Sequence, residues 1–257
     1  RSWGRSRGHR EGAQASESNV VLIGAGGSGT LEFDDCNQES RSEGLALLTS
    51  GLGGESDTHG ADAVVSGIHR NVSFSVGGFH YRTDGFRDNA DQSDDMGNAF
   101  VQIQLSPATS IQAEYRYRDN EQGDLQQRFF KEDVFDTLRN LQEKESVRLG
   151  ARHDLAPNST LLASFVYQDS QIDAKADDFP VPDGFFKLGI PEESLGAEFQ
   201  HLFRTESLNL RTGAGMVDLD RKENQSFGFP AGVFGPDPFV LGDAVNASLK
   251  HFKGYSY

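Results

Sequence analysis

The segment Ser110-Ile-Gln-Ala-Glu-Tyr-Arg-Tyr-Arg118 alternates apolar and polar residues at every step from its second position. Successive side chains of a β-strand point to opposite faces, so its four apolar residues fall on one face and its polar residues on the other. An α-helix, with 3.6 residues per turn, would mix the two sets around its circumference. The segment therefore predicts a β-strand with one apolar and one polar face.

The same two-residue period recurs from about residue 61 onward, where it predicts eight strands, and the alternating residues 245–257 add a candidate ninth. In the second strand the alternation changes face at Gly77-Gly78, which predicts a β-bulge there. The eight strands are predicted at residues 61–69, 72–82, 96–105, 110–118, 146–153, 160–168, 194–203 and 207–217.

Short and long connections alternate between these strands. The short ones lie near residues 70–71, 106–109, 154–159 and 204–208, and the long ones are 83–95, 119–145, 169–193 and 218–244. This order is typical of an all-β, antiparallel, up-and-down transmembrane β-barrel with tight turns at one membrane surface and long outer loops at the other. The alternative is a soluble sheet with one solvated polar face, although a β-sandwich has no reason to place every long connection at one end.

Two sets of residues are candidates for functional positions in such a barrel. The first contains tyrosines at points where a strand enters a long loop, which predicts a single aromatic ring at the outer membrane interface. These interface candidates are Tyr81, Tyr117 and Tyr167. The second set contains charged residues of the polar face, which we expect to pair across a water-filled lumen. These lumen-facing candidates are Glu114, Arg116, Arg148, Arg152, Glu198 and Arg211.

Composition excludes several other classes. A net charge of −15 argues against a nucleic-acid partner, because phosphate contacts require Lys and Arg. The 29 Gly and 19 Phe against 2 Met are atypical of a helical bundle, and the single Cys36 excludes a disulfide framework and a multi-cysteine metal site. The sequence contains no apolar run long enough for a membrane-spanning helix. We predict no catalytic residues, no cofactor and no metal site.

Residues 1–60 differ from the rest of the chain, since they are rich in Gly, Ser and charge. They predict a poorly structured N-terminal segment with one or two short strands, followed by a barrel segment at residues 61–257. Within them, Gly24-Ala-Gly-Gly-Ser-Gly29 fits the G-x-G-x-x-G pattern of dinucleotide-binding enzymes. No amphipathic helix follows the glycines, so a Gly-rich turn is favoured over a nucleotide-binding enzyme.

Three predicted loop regions have compositions that suit ligand binding or local structure. The acidic loop at residues 84–95 offers oxygen ligands for Ca²⁺, but it lacks the EF-hand spacing, and a solvated loop is favoured. The loops at residues 179–182 and 227–239 combine Phe and Pro, a composition that suits either a bound ligand or mutual packing that orders the loop. Residues 126–145 have helical spacing and predict a short helix over the barrel mouth.

Four segments resemble the barrel region of bacterial outer-membrane proteins of the TonB-dependent-receptor-like type. They are Val72–Asn89, Asn98–Gln102, Leu105–Arg118 and Ser146–Asp154. The resemblance covers about residues 45–257. It implies an outer-membrane location, contact with lipid, an unknown small ligand and an energy-coupling periplasmic partner of the parent protein. Relatives of this kind can carry tetratricopeptide repeats ahead of the barrel.

Receptors of this type have 22 strands around a plugged lumen. This chain offers eight or nine predicted strands, no recognisable plug and no TonB-box-like segment. We therefore expect a barrel fragment of a receptor or transport protein that takes up or binds a ligand. We expect it to fold as an open curved sheet or half-barrel, unless it closes on itself as an eight-stranded barrel. A soluble or surface-exposed all-β binding protein is the alternative function.

Overall fold

One antiparallel sheet contains all the strands of the computed structural model, which describes residues 43–126, 134–242 and 245–257. The strands are β1 (Gly44–Gly53), β2 (His59–His69), β3 (Val72–Thr83), β4 (Gln92–Ser106), β5 (Thr109–Gln122), β6 (Arg139–Ala156), β7 (Ser159–Asp177), β8 (Phe185–Arg204), β9 (Asn209–Phe229), β10 (Phe239–Leu241) and β11 (Val245–Ser256). Cys36 and the Gly24–Gly29 motif lie outside the described residues. The strand β1 falls within the predicted N-terminal segment, where one or two short strands were expected, and the domain boundary at residue 60 stays a prediction.

Each strand from β1 to β10 pairs with the next one along the chain, which confirms the predicted up-and-down order. The strands β10 and β11 both pair with β9, at residues 227–229 and 214–224 respectively, so they share one position in the sheet. Among the described residues, no pairing joins β1 to β10 or β11. The sheet is therefore open, as predicted for a partial barrel.

The connections separate into two ends of the sheet. Tight turns occupy one end, at residues 70–71, 107–108, 157–158 and 205–208. Longer connections occupy the other end, at residues 54–58, 84–91, 123–138, 178–184 and 230–238, and we call this the loop end. The alternation of short and long connections is confirmed.

The loops are shorter than predicted because the strands extend further toward the loop end. The four strands β6 to β9 contain 18, 19, 20 and 21 residues, whereas a membrane-spanning strand needs about 9–11. In these extensions polar residues occupy both faces, so hydropathy does not reveal the two-residue period. The short helix predicted within residues 126–145 is wrong for residues 139–145, which belong to β6, while residues 127–133 lie outside the described residues.

The two faces of the sheet are defined here by the register of the strands. The inner face includes Glu114 with its partners Phe100 on β4 and Arg148 on β6, and the outer face includes Tyr115 with its partners Ala99 and Val147. The buried strand residues of the inner face are largely polar or small. They are Val64, Ser75, Asp94, Phe100, Ser110, Glu114, Asn120, Gln168, Ser170, Ala174, Ala176 and Gln200.

The outer face has the opposite composition, since most of the exposed large apolar side chains of the strands lie there. They include Leu45, Leu47, Val65, Val76, Ile111, Tyr115, Val147, Leu149, Tyr167, Phe199, Leu210 and Met216. A soluble sheet buries its apolar face and exposes its polar face. In the described part of this chain the arrangement is reversed, as expected when lipid covers the apolar face.

Acidic residues mark where this apolar band ends toward the loop end. Each of the strands β4 to β9 places carboxylates on the outer face where the apolar band ends toward the loop end. They include Asp95, Asp119, Glu143, Glu145, Asp169, Glu193, Asp218 and Asp220. Charged side chains are costly in hydrocarbon and tolerated at the interface, so this belt marks the outer boundary of the membrane-spanning band.

The apolar face predicts tolerance of larger apolar side chains at mid-strand. Val101 and Ile103 lie on the outer face of β4, with Gln102 between them on the inner face. We expect Val101→Leu combined with Ile103→Phe to change the free energy of unfolding in lipid vesicles by less than about 1 kcal/mol, whereas a close-packed protein core would lose about 1–3 kcal/mol. The measurement is urea unfolding of the parent protein, with the remaining strands of its barrel, in lipid vesicles.

Two arginine substitutions are the controls. Val101→Arg should cost about 2–4 kcal/mol, the penalty near the bilayer midplane, and Gln102→Arg should cost little. A loss above about 1 kcal/mol in the double variant would show that protein, not lipid, covers the outer face.

Candidate functional site on the inner face of the sheet

All six charged residues predicted to face the lumen lie on the inner face by register. They do not form one network. Glu114 contacts Arg116 and Arg148, while Arg152 pairs with Asp154 on its own strand. The remaining two, Glu198 and Arg211, contact the Tyr257 side chain and are not paired with each other: the Tyr257 hydroxyl donates to Glu198, and the Arg211 guanidinium lies 5.5 Å from the ring centre.

Glu114 is the centre of a buried ion-pair cluster. Its side chain is 8% exposed. Arg116 donates through Nε to one carboxylate oxygen, and Nη1 of Arg148 lies 3.5 Å from the other. The Nε atom of Arg148 is buried and has no hydrogen-bond partner among the described residues. Alternation along β5 places Glu114 and Arg116 two residues apart on one face, which is why this pair was predictable.

A second buried ion pair, between Asp94 and Arg118, lies closer to the loop end. Nε and Nη2 of Arg118 donate to the two oxygens of Asp94 at 2.9 and 2.7 Å. The hydrogen bond with Asp94 raises the pKa of Arg118. Sequence analysis missed the pair because Asp94 was assigned to a loop. Hydropathy gives no signal for the pair, because residues 119–122 of β5 are all polar.

The three predicted interface tyrosines are separated by the structure. Tyr117 and Tyr167 lie on the outer face, but Tyr81 pairs with Asp94 and lies on the inner face. The predicted β-bulge at Gly77-Gly78 is wrong, because β3 pairs with β2 and β4 without any register shift. Unbroken alternation therefore carries Tyr81 to the inner face, and the three tyrosines do not form a single ring.

Aromatic side chains form a cluster on the inner face at the loop end. Phe186 and Phe227 are register partners on β8 and β9, with ring centres 5.1 Å apart. Phe179 from loop 178–184 stands edge-on to Phe186 at 6.1 Å and to Phe135 at 5.3 Å. The nearby Ala176, the partner of Phe186 on β7, is 3% exposed. We call these four phenylalanines the aromatic cluster.

The predicted mutual packing of the aromatic-proline loops is observed in both. Phe179 belongs to the aromatic cluster, and Phe229, Phe234 and Phe239 pack together beside β10 with centre distances of 4.8, 6.0 and 6.5 Å. In the second group Phe234 is 69% exposed. These rings give the loop end an apolar, aromatic surface above the polar part of the inner face.

The described ends of the connection between β5 and β6, residues 123–126 and 134–138, are bonded to each other and to loop 84–91. Asp124 is 1% exposed and accepts hydrogen bonds from the backbone N–H groups of Gln126 and Phe135 at 3.2 and 3.1 Å. The Asn89 amide donates to the carbonyl oxygens of Phe135 and Leu138, and Arg87 donates to the Asp124 carbonyl oxygen. These bonds fix the backbone on which the Phe135 ring of the aromatic cluster stands.

The acidic loop does not gather its carboxylates into a cation site. Asp91 pairs with Arg139. No group of three or more His, Cys, Asp or Glu side chains within residues 43–126, 134–242 and 245–257 is arranged to hold a metal ion.

The open, up-and-down antiparallel sheet is the fold of the barrel of TonB-dependent outer-membrane receptors. It is similar to the ferric preacinetobactin receptor BauA of Acinetobacter baumannii, with a TM-score of 0.54 at 10% identity over 82% of this chain. It is also similar to the ferric-catecholate import receptor Fiu of Escherichia coli K12 (TM-score 0.54, 12% identity, 80% of the chain) and to FpvA of Pseudomonas aeruginosa bound to ferric pyoverdine (TM-score 0.52, 13% identity, 82% of the chain).

At these identities the similarity establishes the fold alone. The matched regions cover 37%, 39% and 33% of the three receptors, so the chain spans little more than a third of their length. No protein-family model matches the sequence, and no curated protein matches it. A search of the described residues for a helix long and apolar enough to cross a membrane found none.

The two inner-face ion pairs with the most different burial give a stability prediction. The Asp94 side chain is 9% exposed in its pair with Arg118, whereas Arg152 and Asp154 are 58% and 30% exposed. We expect Arg118→Met to lower the free energy of unfolding by about 3 kcal/mol, because it leaves a buried carboxylate unpaired. Arg152→Met should cost about 0–1 kcal/mol. Equal losses on urea unfolding in vesicles would contradict the assignment of Asp94–Arg118 as a buried pair.

Lys144 gives a pH prediction. It lies on β6 beyond the apolar band, and burial lowers its pKa, as do Arg118 and Arg116, while Glu192 acts in the opposite direction. Because the folded pKa lies below the unfolded value of about 10.4, the charged form destabilises the fold at neutral pH, and this penalty disappears as the pH rises through that window.

We therefore expect Lys144→Gln to be more stable than the parent at pH 7, with the difference shrinking as the pH rises through the lowered pKa of Lys144 and absent above about pH 10.4. The measurement is urea unfolding of both proteins at several pH values. A difference that stays constant with pH, or a less stable variant at pH 7, would contradict the prediction.

Proposed function

We propose that the chain is part of the barrel of a bacterial outer-membrane receptor. The observation that carries the proposal is the reversed exposure of the two faces, with leucine, valine and tyrosine exposed on the outer face and charged pairs buried on the inner face. The outer face contacts outer-membrane lipid, and the acidic belt lies at the external surface. The fold shared with outer-membrane receptors supports this location.

The role we propose is uptake or surface binding of a small ligand that enters at the loop end. The solved receptors with this fold carry ferric siderophores in their names: ferric preacinetobactin, ferric catecholates and ferripyoverdine. Catecholate and related chelators present flat rings, and Phe186 and Phe227 offer aromatic faces for such rings. A ferric siderophore is thus the ligand class that the aromatic cluster suits.

Transport across the membrane would require an energy-coupling periplasmic partner of the parent protein, which is part of the proposal. No catalytic role is proposed for any residue. Fiu, which has this fold, is an import receptor, and FpvAI, which also has it, is solved in complex with pyocin S2. We also propose two segments for the chain: a Gly-rich N-terminal segment at residues 1–60 and a barrel segment at residues 61–257.

The second candidate is a soluble or surface-exposed all-β binding protein. It would need another protein surface to cover the apolar outer face. The Val101→Leu, Ile103→Phe variant separates the two, because only a protein cover would be overpacked by the added volume.

A binding experiment tests the ligand class. The probe is a ferric tris-catecholate complex, titrated into the full chain folded in detergent micelles and followed by its visible absorbance. We expect Phe186→Ala combined with Phe227→Ala to weaken binding about tenfold, since each ring contact is worth about 0.5–1.5 kcal/mol. The matched control is Phe199→Ala, which removes a ring that is 49% exposed on the outer face. Equal effects of the two changes, or no binding by the parent chain, would overturn the proposed ligand class.

A further inference from the structure

One row of inner-face residues, aligned across neighbouring strands by the register, carries more cations than carboxylates. In the β5–β6 register Lys144 stands directly opposite Arg118. The residues that the register aligns with Lys144 on the inner face include the cations Arg118 and Arg221 and the carboxylates Glu192 and, three strands away from Arg118, Asp62. The two adjoining rows add Arg116 on the turn side, and Asp94 and Glu223 on the loop-end side. Like charges placed directly across a strand pair destabilise a sheet, so an additional anion would stabilise this arrangement.

The carboxylates nearest to Lys144 are already paired with arginines. Asp94 is bound by Arg118, Glu114 by Arg116 and Arg148, and Glu192 lies 3.8 Å from Arg221. The half-buried ammonium of Lys144 has no hydrogen bond or ion pair within the described part of the chain. It is therefore a cation that the inner face holds in place without neutralising it.

Hydrogen-bond donors occupy the register positions next to Lys144. Asp94 takes Nε and Nη2 of Arg118, which leaves Nη1 without an acceptor among the described residues. On the other side, Ser170 on β7 is the register partner of Lys144, is 7% exposed and carries a hydroxyl. The Gln142 amide lies two residues away on the same face of β6. An ammonium, a guanidinium edge and a hydroxyl are the donors that bind carboxylate and phosphate oxygens.

We propose that Lys144, Arg118 and Ser170 form a binding site for an oxyanion, a carboxylate or phosphate group, carried by a small solute that enters from the loop end. The inference deepens the proposed function, on which it rests, by adding an anionic group to the ligand. The aromatic cluster contacts β7 at Ala176, six residues beyond Ser170, which is about 20 Å along a strand. An entering solute meets the phenylalanine rings first and the cations next.

The site is tested with citrate and inorganic phosphate as probes and glycerol as the uncharged control, by calorimetric titration of the full chain in detergent micelles. We expect both anions to bind and glycerol not to bind. Lys144→Gln should weaken anion binding about tenfold, the value of one hydrogen bond to a charged group, and Lys144→Arg should retain it. The matched control is Lys175→Gln, which removes the same charge from an exposed position on the outer face of β7.

A second variant keeps the test independent of how well Lys144→Gln folds. Ser170→Asp places a carboxylate in register with Lys144 and should abolish citrate and phosphate binding by supplying the missing anion. Failure of the parent chain to bind either anion, equal losses in Lys144→Gln and Lys175→Gln, or unchanged binding in Ser170→Asp would overturn the site. Binding of the ferric catecholate, measured in the same preparation, reports on the proposed function separately, so each proposal can fail while the other stands.

Discussion

The hydrogen-bonded register of the antiparallel ladder is the constraint on which the rest of this structure depends. A shift of one residue between two strands would move a whole strand's side chains to the opposite face. The pairings from β2 to β9 keep Glu114 and Arg148 on one face and Tyr115 and Val147 on the other, with irregularities only at the tight turns. Burial of charge and exposure of leucine both follow from that register, since each strand contributes alternately to the two faces.

Sequence reasoning works where hydropathy alternates in a constant phase and fails where it does not. The segment around Ile111 and Tyr117 is predictable because apolar and polar residues take turns, and the tight turn at residues 107–108 follows from the Pro between two such segments. The extension of β7 toward Asp177 alternates Ile172 and alanines with charged residues, but its apolar residues lie on the inner face, whereas those of residues 161–167 lie on the outer face. This reversal hides the continuation of the strand. Tyr81 was misplaced because two glycines hide the phase of the alternation in β3.

In the candidate site, contacts within one strand were predictable from the sequence, and contacts between distant parts of the chain were not. Glu114 and Arg116 were predictable as a pair because they are two residues apart on one strand. The contact between Phe179 and Phe186 joins a loop to a strand, and the opposition of Lys144 to Arg118 depends on the register across loop 123–138. Neither has a signature in the spacing of residues along the chain, because both are set by how far the strands extend before the chain turns back.

The open edges of the sheet limit how it can lie in the outer membrane. Unpaired backbone N–H and C=O groups each cost several kcal/mol in hydrocarbon, so a sheet edge cannot face lipid. The edge strand β1 is exposed along its whole length and places leucines on both faces, with Leu47 outward and Leu48 inward. At the opposite edge β11 runs antiparallel to β9, and its direction is therefore opposite to that of β1. Insertion into a bilayer thus requires further strands paired at both edges, and the directions of β1 and β11 are those that an up-and-down barrel needs for an even number of strands to complete the ring.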